Sequence, residues 1–195
     1  MSRCPSWFLV LSLVPSALVA QPPAPPAPAV QVAEAVLALP EKLRAGAAVL
    51  GYDASGALAQ LRPGTNGLIC LADDPADPRF HVACYHESLE PFMRRGRELR
   101  AAKVDRREID RLREEEARAG TLPMPRVPAA LYELTAPKDS FDVATRAVRS
   151  PAPMYVLYIP YATEATTGLS TAGAGGGLPW LMYPGRPQAH VMIIP

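Results

Sequence analysis

Residues Ala47–Asp74 read AAVLGYDASGALAQLRPGTNGLICLADD. Three short apolar runs stand in this stretch: Ala47–Tyr52, Ala57–Leu61 and Leu68–Leu71. Asp53-Ala-Ser-Gly56 separates the first two, and Pro63-Gly-Thr-Asn-Gly67 separates the second and third. Both separators turn the chain: Gly takes positive φ without steric cost, Pro fixes φ, and Asp and Asn side chains bond their own backbone. Asn66 is the chain's one asparagine and precedes Gly67, a pairing suited to a tight turn. Apolar runs bounded in this way read as strands, and three in succession predict an antiparallel three-strand meander. The stretch contains no catalytic motif.

Downstream, Asp73-Asp74-Pro-Ala-Asp77-Pro is an acidic turn. Paired aspartates suit a hard cation such as calcium, but the Asp-x-Asp-x-Asp-Gly spacing is missing, so turn capping is the expected role. Phe80–His86 alternates in part and reads as a strand or as an irregular segment pinned by a disulfide. Ser88 opens a helix with Pro91 in its tolerated first turn, and Leu89, Phe92, Met93 and Leu99 form its apolar face. Asp105-Arg-Arg-Glu108 resembles a capping box, and it predicts a second helix to about Ala119 with Gly120 as its stop. Residues 94–107 hold seven basic and two acidic side chains, and residues 108–116 hold two basic and five acidic. That gradient suits a docking arm. The plainer expectation is a solvated hairpin or long helix laced by pairs such as Arg94–Glu98 and Arg106–Asp110.

After Pro123, Pro125 and Pro128 the strand signals return. Ala130–Leu134 is one. Met154–Tyr161, MYVLYIPY, is the richest in β-branched and aromatic residues, with Pro160 marking an end or an edge. Trp180–Tyr183 and Ala189–Ile194 follow, joined by Pro184-Gly-Arg-Pro187. Gly173-Ala-Gly-Gly-Gly177 lacks the Lys and Ser/Thr of a phosphate loop and reads as an exposed loop or flap. The class expected is α+β: an antiparallel or mixed sheet with the charged helical region Ser88–Ala119 on one side. One domain is expected over residues 30–195.

Upstream, residues 1–20 carry Arg3, an apolar run from Trp7 to Val14, and small residues near Ala20. The run is short for a bilayer span, so a cleaved secretory signal is expected, with a retained membrane anchor as the alternative. No later segment is long and apolar enough to span. Residues 21–29, QPPAPPAPA, read as an extended spacer without helix or strand, or as a ligand for a proline-recognising module. Val32, Val36, Leu39 and Leu43 keep helical spacing, and Pro40 predicts a split near Leu39.

Loss of the leader removes Cys4 and leaves Cys70 and Cys84. An even count in an exported chain favours a disulfide. Free buried thiols and a zinc site from Cys70, His81, Cys84 and His86 are the alternatives, although the latter lacks common zinc spacing. The 20 basic and 19 acidic residues become 19 of each without Arg3, a balance that argues against a nucleic-acid-binding surface. No cofactor motif is present, and neither a cofactor nor a metal is expected.

Leu61-Arg-Pro-Gly-Thr-Asn-Gly67, Cys70, Asp73-Asp74-Pro75 and Cys84-Tyr-His86 together resemble a group of exported bacterial proteins of unknown function. Tyr161-Ala-Thr, Thr167-Gly-Leu-Ser170, Pro179-Trp180, Pro184-Gly and Ala189-His190-Val-Met-Ile193 extend the resemblance, which covers roughly Val49 to Ile193. It implies export to the periplasm or beyond and a similar layout, and carries no activity.

Among candidate chemistries, no Gly-x-Ser-x-Gly elbow appears. Asp73 or Asp74 with Glu87 supplies the carboxylates that sugar hydrolysis needs, if the fold brings them together. Trp180, Tyr183, Arg186 and His190 suit a small-ligand pocket: rings for stacking, Arg for an anion, His for a proton or metal. The plainer expectation for His190 is a strand-end histidine bonded to backbone. Two functions follow: an exported non-enzymatic binding or envelope-interaction domain, with a small ligand or envelope protein as partner, or a small exported hydrolase using His190.

Overall fold

The computed structural model describes residues 24–173 and 175–195. The leader read at 1–20, Cys4, the first residues of the Pro/Ala stretch and Ala174 lie outside the described residues.

The chain enters through α1 (Pro28–Ala35), a 3-10 turn (Val36–Ala38) and α2 (Glu41–Arg44), broken at Leu39-Pro40 as the proline predicts. The Pro/Ala stretch is corrected at its end. Pro28 and Ala29 are helical, because a proline in the first turn lacks only an N–H that has no helical partner there.

Strands β1 (Ala48–Tyr52) and β2 (Leu58–Arg62) form the expected antiparallel hairpin. Its turn is held by the Asp53 carboxylate, which accepts from the Ser55 and Ala57 N–H groups. The antiparallel meander stops there. Strand β3 (Leu68–Leu71) pairs in parallel with β1 and not with β2. Residues Pro63–Gly67 carry the chain past the start of β1 to its far side. The Thr65 and Asn66 N–H groups donate to the Gly46 carbonyl at 2.7 and 3.2 Å. The Arg62 guanidinium donates to the carbonyls of Ala47 and Arg44 at 3.0 and 2.6 Å. Gly64 passes so close that a Cβ there would lie 2.5 Å from the Ala48 nitrogen. The turn residues mark a reversal, but the bonds that choose its partner strand reach back to Gly46 and Arg44, outside any local pattern.

Strand β4 (Arg79–His86) runs antiparallel to β3, and β5 (Ala129–Pro137) runs antiparallel to β4. A separate small hairpin follows, β6 (Phe141–Asp142) with β7 (Ala147–Val148). Strand β8 (Ala152–Tyr158) then pairs with β5 and ends two residues before Pro160. Strands β9 (Trp180–Met182) and β10 (His190–Ile193) complete an eight-stranded mixed sheet of order β2-β1-β3-β4-β5-β8-β10-β9.

Paired residues of neighbouring strands share a face. One face carries Tyr85, Leu131 and Val156 under a helical hairpin, α3 (Glu90–Ala101) and α4 (Arg106–Arg118). A 3-10 turn at Glu87–Leu89 precedes α3, and the Asp105 carboxylate caps α4 by accepting from the Arg107 N–H at 2.9 Å. The charge gradient has a structural use, since basic α3 lies against the carboxylates of α4 and Arg95 grips Glu116 through Nε and Nη2 at 2.9 and 2.6 Å. Arg94–Glu98 forms as expected. Arg106–Asp110 does not, because Asp110 turns to Arg113 at 3.0 Å, while that guanidinium also lies over the Phe92 ring.

The other face is covered in two separate parts. Over β1, β3 and β4, the N-terminal helices bury Val49, Cys70, Val82 and Cys84, with Ala35 and Leu39 above them. Over β9 and β10, the segment containing Ile159, Ala162, α5 (Glu164–Thr167) and Leu169 covers Leu181 and Val191.

Candidate functional site

Cys70 and Cys84 are direct partners on β3 and β4, joined by a disulfide with Cα atoms 4.0 Å apart. Both sulfurs are committed to each other, which removes the zinc alternative. His81 also alternates to the opposite face from Cys84, and the His86 Nδ1 meets Ser88 Oγ at 2.9 Å.

The carboxylates proposed for sugar hydrolysis are separated. The Glu87 N–H donates to Gly67, just before β3, whereas Asp73 lies just after that strand. Six residues of extended chain span roughly 20 Å, beyond the reach of a glycosidase pair. Asp73 instead accepts from Lys138 Nζ and the His81 N–H, both at 2.8 Å. Near it on α1, Glu34 is buried with one carboxyl oxygen unpartnered. Burial first, and then the charge of Asp73, pushes the Glu34 pKa up to about 7. Across the sheet, His81 Nε2 lies 3.9 Å from Glu133, whose pKa burial also raises.

His190 opens β10, with its ring 4.9 Å from that of Tyr158 and 5.6 Å from that of Tyr183. Its Nδ1 lies 2.8 Å from the Gln188 carbonyl, and burial lowers its pKa despite that bond. Arg186 approaches Tyr183 but pairs with Glu114 of α4 at 3.1 Å. Gln188 Nε2 donates to the same carboxylate at 3.1 Å. Burial alone would raise the Glu114 pKa; the bonds from Gln188 and Arg118 and the charge of Arg186 hold it below its ordinary value. Three of the four residues therefore meet where α4 is tied to the β9–β10 loop. Trp180 pairs with Met192, one step further along the sheet, beneath Gly173. Two open cavities, one along Met124–Pro128 with Ile159–Tyr161 and one at Leu37, Arg44 and Pro153, are lined by none of the four.

Comparison with protein-family models, with curated proteins and with solved structures finds no match.

A different surface stands out on the sheet. Between the two covers the face of β8 is open, with the half-buried Ala130 and Tyr132 of β5 beside it, whereas Leu134 and Ala136 of β5 lie in the core under the N-terminal cover. Tyr155 and Leu157 are 38% and 37% exposed although β8 is an interior strand. Tyr132 meets Tyr155 edge to face at 5.9 Å, and Ala130 lies opposite Leu157. At one end the next pair, Leu134 and Pro153, leads into an open cavity of about 320 Å³ lined also by Leu37, Arg44, Arg146 and Val148. The sequence carried a signal for this valley. Residues 154–159 are apolar without alternation, the pattern of a strand buried on both faces, whereas here one face meets solvent.

Proposed function

We propose that the protein is an exported, non-enzymatic binding domain of the cell envelope, and that its partner docks in the valley over β5 and β8. The observation that carries this reading is the exposure of Tyr155 and Leu157 on an interior strand whose sequence is apolar on both sides. Large apolar side chains left open between two covered regions mark interaction surfaces more often than solvent-facing ones. The hydrolase reading has less behind it. His190 meets a backbone carbonyl and two phenol rings, with no hydroxyl, thiol or carboxylate bonded to it among the described residues. A general base needs its reacting group within hydrogen-bond reach.

A photo-crosslinking residue at position 157, in cells exporting the protein, tests the reading. A discrete adduct is expected there and not from the same residue at Gln60, an exposed position on edge strand β2. Equal labelling at both positions, or none at 157, would overturn it.

A further inference from the structure

Resting on that reading, we infer that the docking segment is an amphipathic helix of a partner protein, with a carboxylate at the end that meets Arg44 and Arg146. The sheet selects a helix. Strand β8 is hydrogen-bonded on both sides, so a partner cannot add to it as a strand and meets it by laying a side-chain face across Tyr155 and Leu157, as an amphipathic helix does. Along the floor the pairs Tyr132–Tyr155 and Ala130–Leu157 stand two residues apart, a step of about 6.7 Å, and the buried Leu134 beyond them marks the end nearest Leu37 and Arg44. Helical side chains at i and i+4 advance by about 6 Å and match that step.

Charge selects the carboxylate. The cavity at the Leu134 end is lined by two guanidiniums and no acid. Arg44 is oriented by bonds from its Nε and Nη2 to the carbonyls of Leu39 and Leu37, at 2.9 and 3.4 Å. Arg146 is exposed and makes no ion pair among the described residues. A cavity so open, continuous with an apolar floor, suits a side chain on a macromolecule better than an enclosed small molecule. Arginine's planar fork is the residue of choice for a carboxylate at an interface.

The test uses two synthetic amphipathic helices with leucines at i and i+4, one ending in glutamate and the other in glutamine at that place. Binding to the full chain is read by fluorescence anisotropy at low and high salt. The glutamate peptide is expected to bind about fivefold more tightly at low salt, the worth of one partly exposed ion pair, with the advantage fading as salt screens it. Arg146→Gln should bring the two peptides close to equal, and Tyr155→Ser with Leu157→Ser should weaken both. Equal binding of the two peptides to the unaltered protein, with both still lost in the serine variant, overturns the carboxylate and leaves the valley standing. Binding of both peptides unmoved by the serine variant overturns the valley as their site.

Discussion

One row of side chains crosses the sheet on a single face: Val49, Cys70, Cys84, Tyr132, Tyr155 and Ile193. The first three are wholly buried, and Tyr155 is 38% exposed. The backbone pairing is continuous throughout, so the change comes from what lies above. Over β1, β3 and β4 the N-terminal helices close the face and the disulfide locks two strands beneath them. The helices reach Leu134 and Ala136 of β5, and over β8 nothing among the described residues takes their place. One sheet face therefore has a part that holds the fold and a part that is free to meet a partner, and substitutions in the two should separate.

The largest effect is expected at the disulfide. Closing a loop of sequence separation 14 constrains the unfolded chain by about 3 kcal/mol in the chain-entropy model. Cys70→Ser should lower Tm by about 10 °C in a domain of this size. A reductant should do the same to the unaltered protein and nothing further to the variant, which calorimetry with and without dithiothreitol checks.

Gln31 comes next. Its fully buried amide takes the Tyr52 N–H at 2.7 Å and gives to the Tyr52 and Pro26 carbonyls at 2.9 and 2.8 Å, acting as a surrogate strand at the end of β1. Gln31→Ala strands these backbone groups and should cost about 2 kcal/mol in urea unfolding.

Glu34 gives the same cover a pH dependence. Its carboxyl titrates near 4.5 when unfolded and near 7 when folded, facing Asp73 and Lys138. Between those values this carboxyl binds more protons in the folded state, so its contribution to stability is fullest below about pH 4.5 and is lost as pH rises through about 7. Asp73, also raised by burial, acts in the same direction. The loss should be on the order of 1 to 2 kcal/mol, and Glu34→Gln should flatten the fall in Tm measured across this window. An unchanged slope in the variant would remove Glu34 as its source.

Arg95→Ala is the smallest. The Arg95–Glu116 pair joins α3 to α4 with both side chains about one-third exposed, so solvent and salt weaken it, and only a small loss of Tm is expected, shrinking further at high salt. A larger effect would make the helical hairpin more dependent on charge than its packed Phe92 and Leu99 imply.

Much of this architecture was legible where the signal is local. Pro40 broke the first helix where expected, Gly120 follows α4, and each apolar run between turn residues became a strand. The Cys70–Cys84 bond was expected from the even cysteine count that remains without Cys4, on the expectation of an exported chain. What was not legible depends on distant partners. The place of β3 beside β1 rests on Gly46 and Arg62, and Asp110 prefers Arg113 where spacing alone also allowed Arg106. The His190 group clusters in part, but Arg186 faces Glu114, seventy-two residues earlier in the chain, which no spacing among residues 180–190 reveals. The valley was half legible. The apolar run of β8 implied cover on both faces, and sequence cannot say that one cover is missing.

The most direct measurement compares Leu39→Ala, in the cover of the closed part, with the pair Tyr155→Ser and Leu157→Ser in the open part. Leu39 is 2% exposed in the main core, and its truncation should cost about 3 kcal/mol, with Tm falling by about 10 °C. The serine pair should leave Tm within about 3 °C, since both side chains already meet solvent. Comparable losses in the two variants would contradict the open valley and make Tyr155 and Leu157 part of the core.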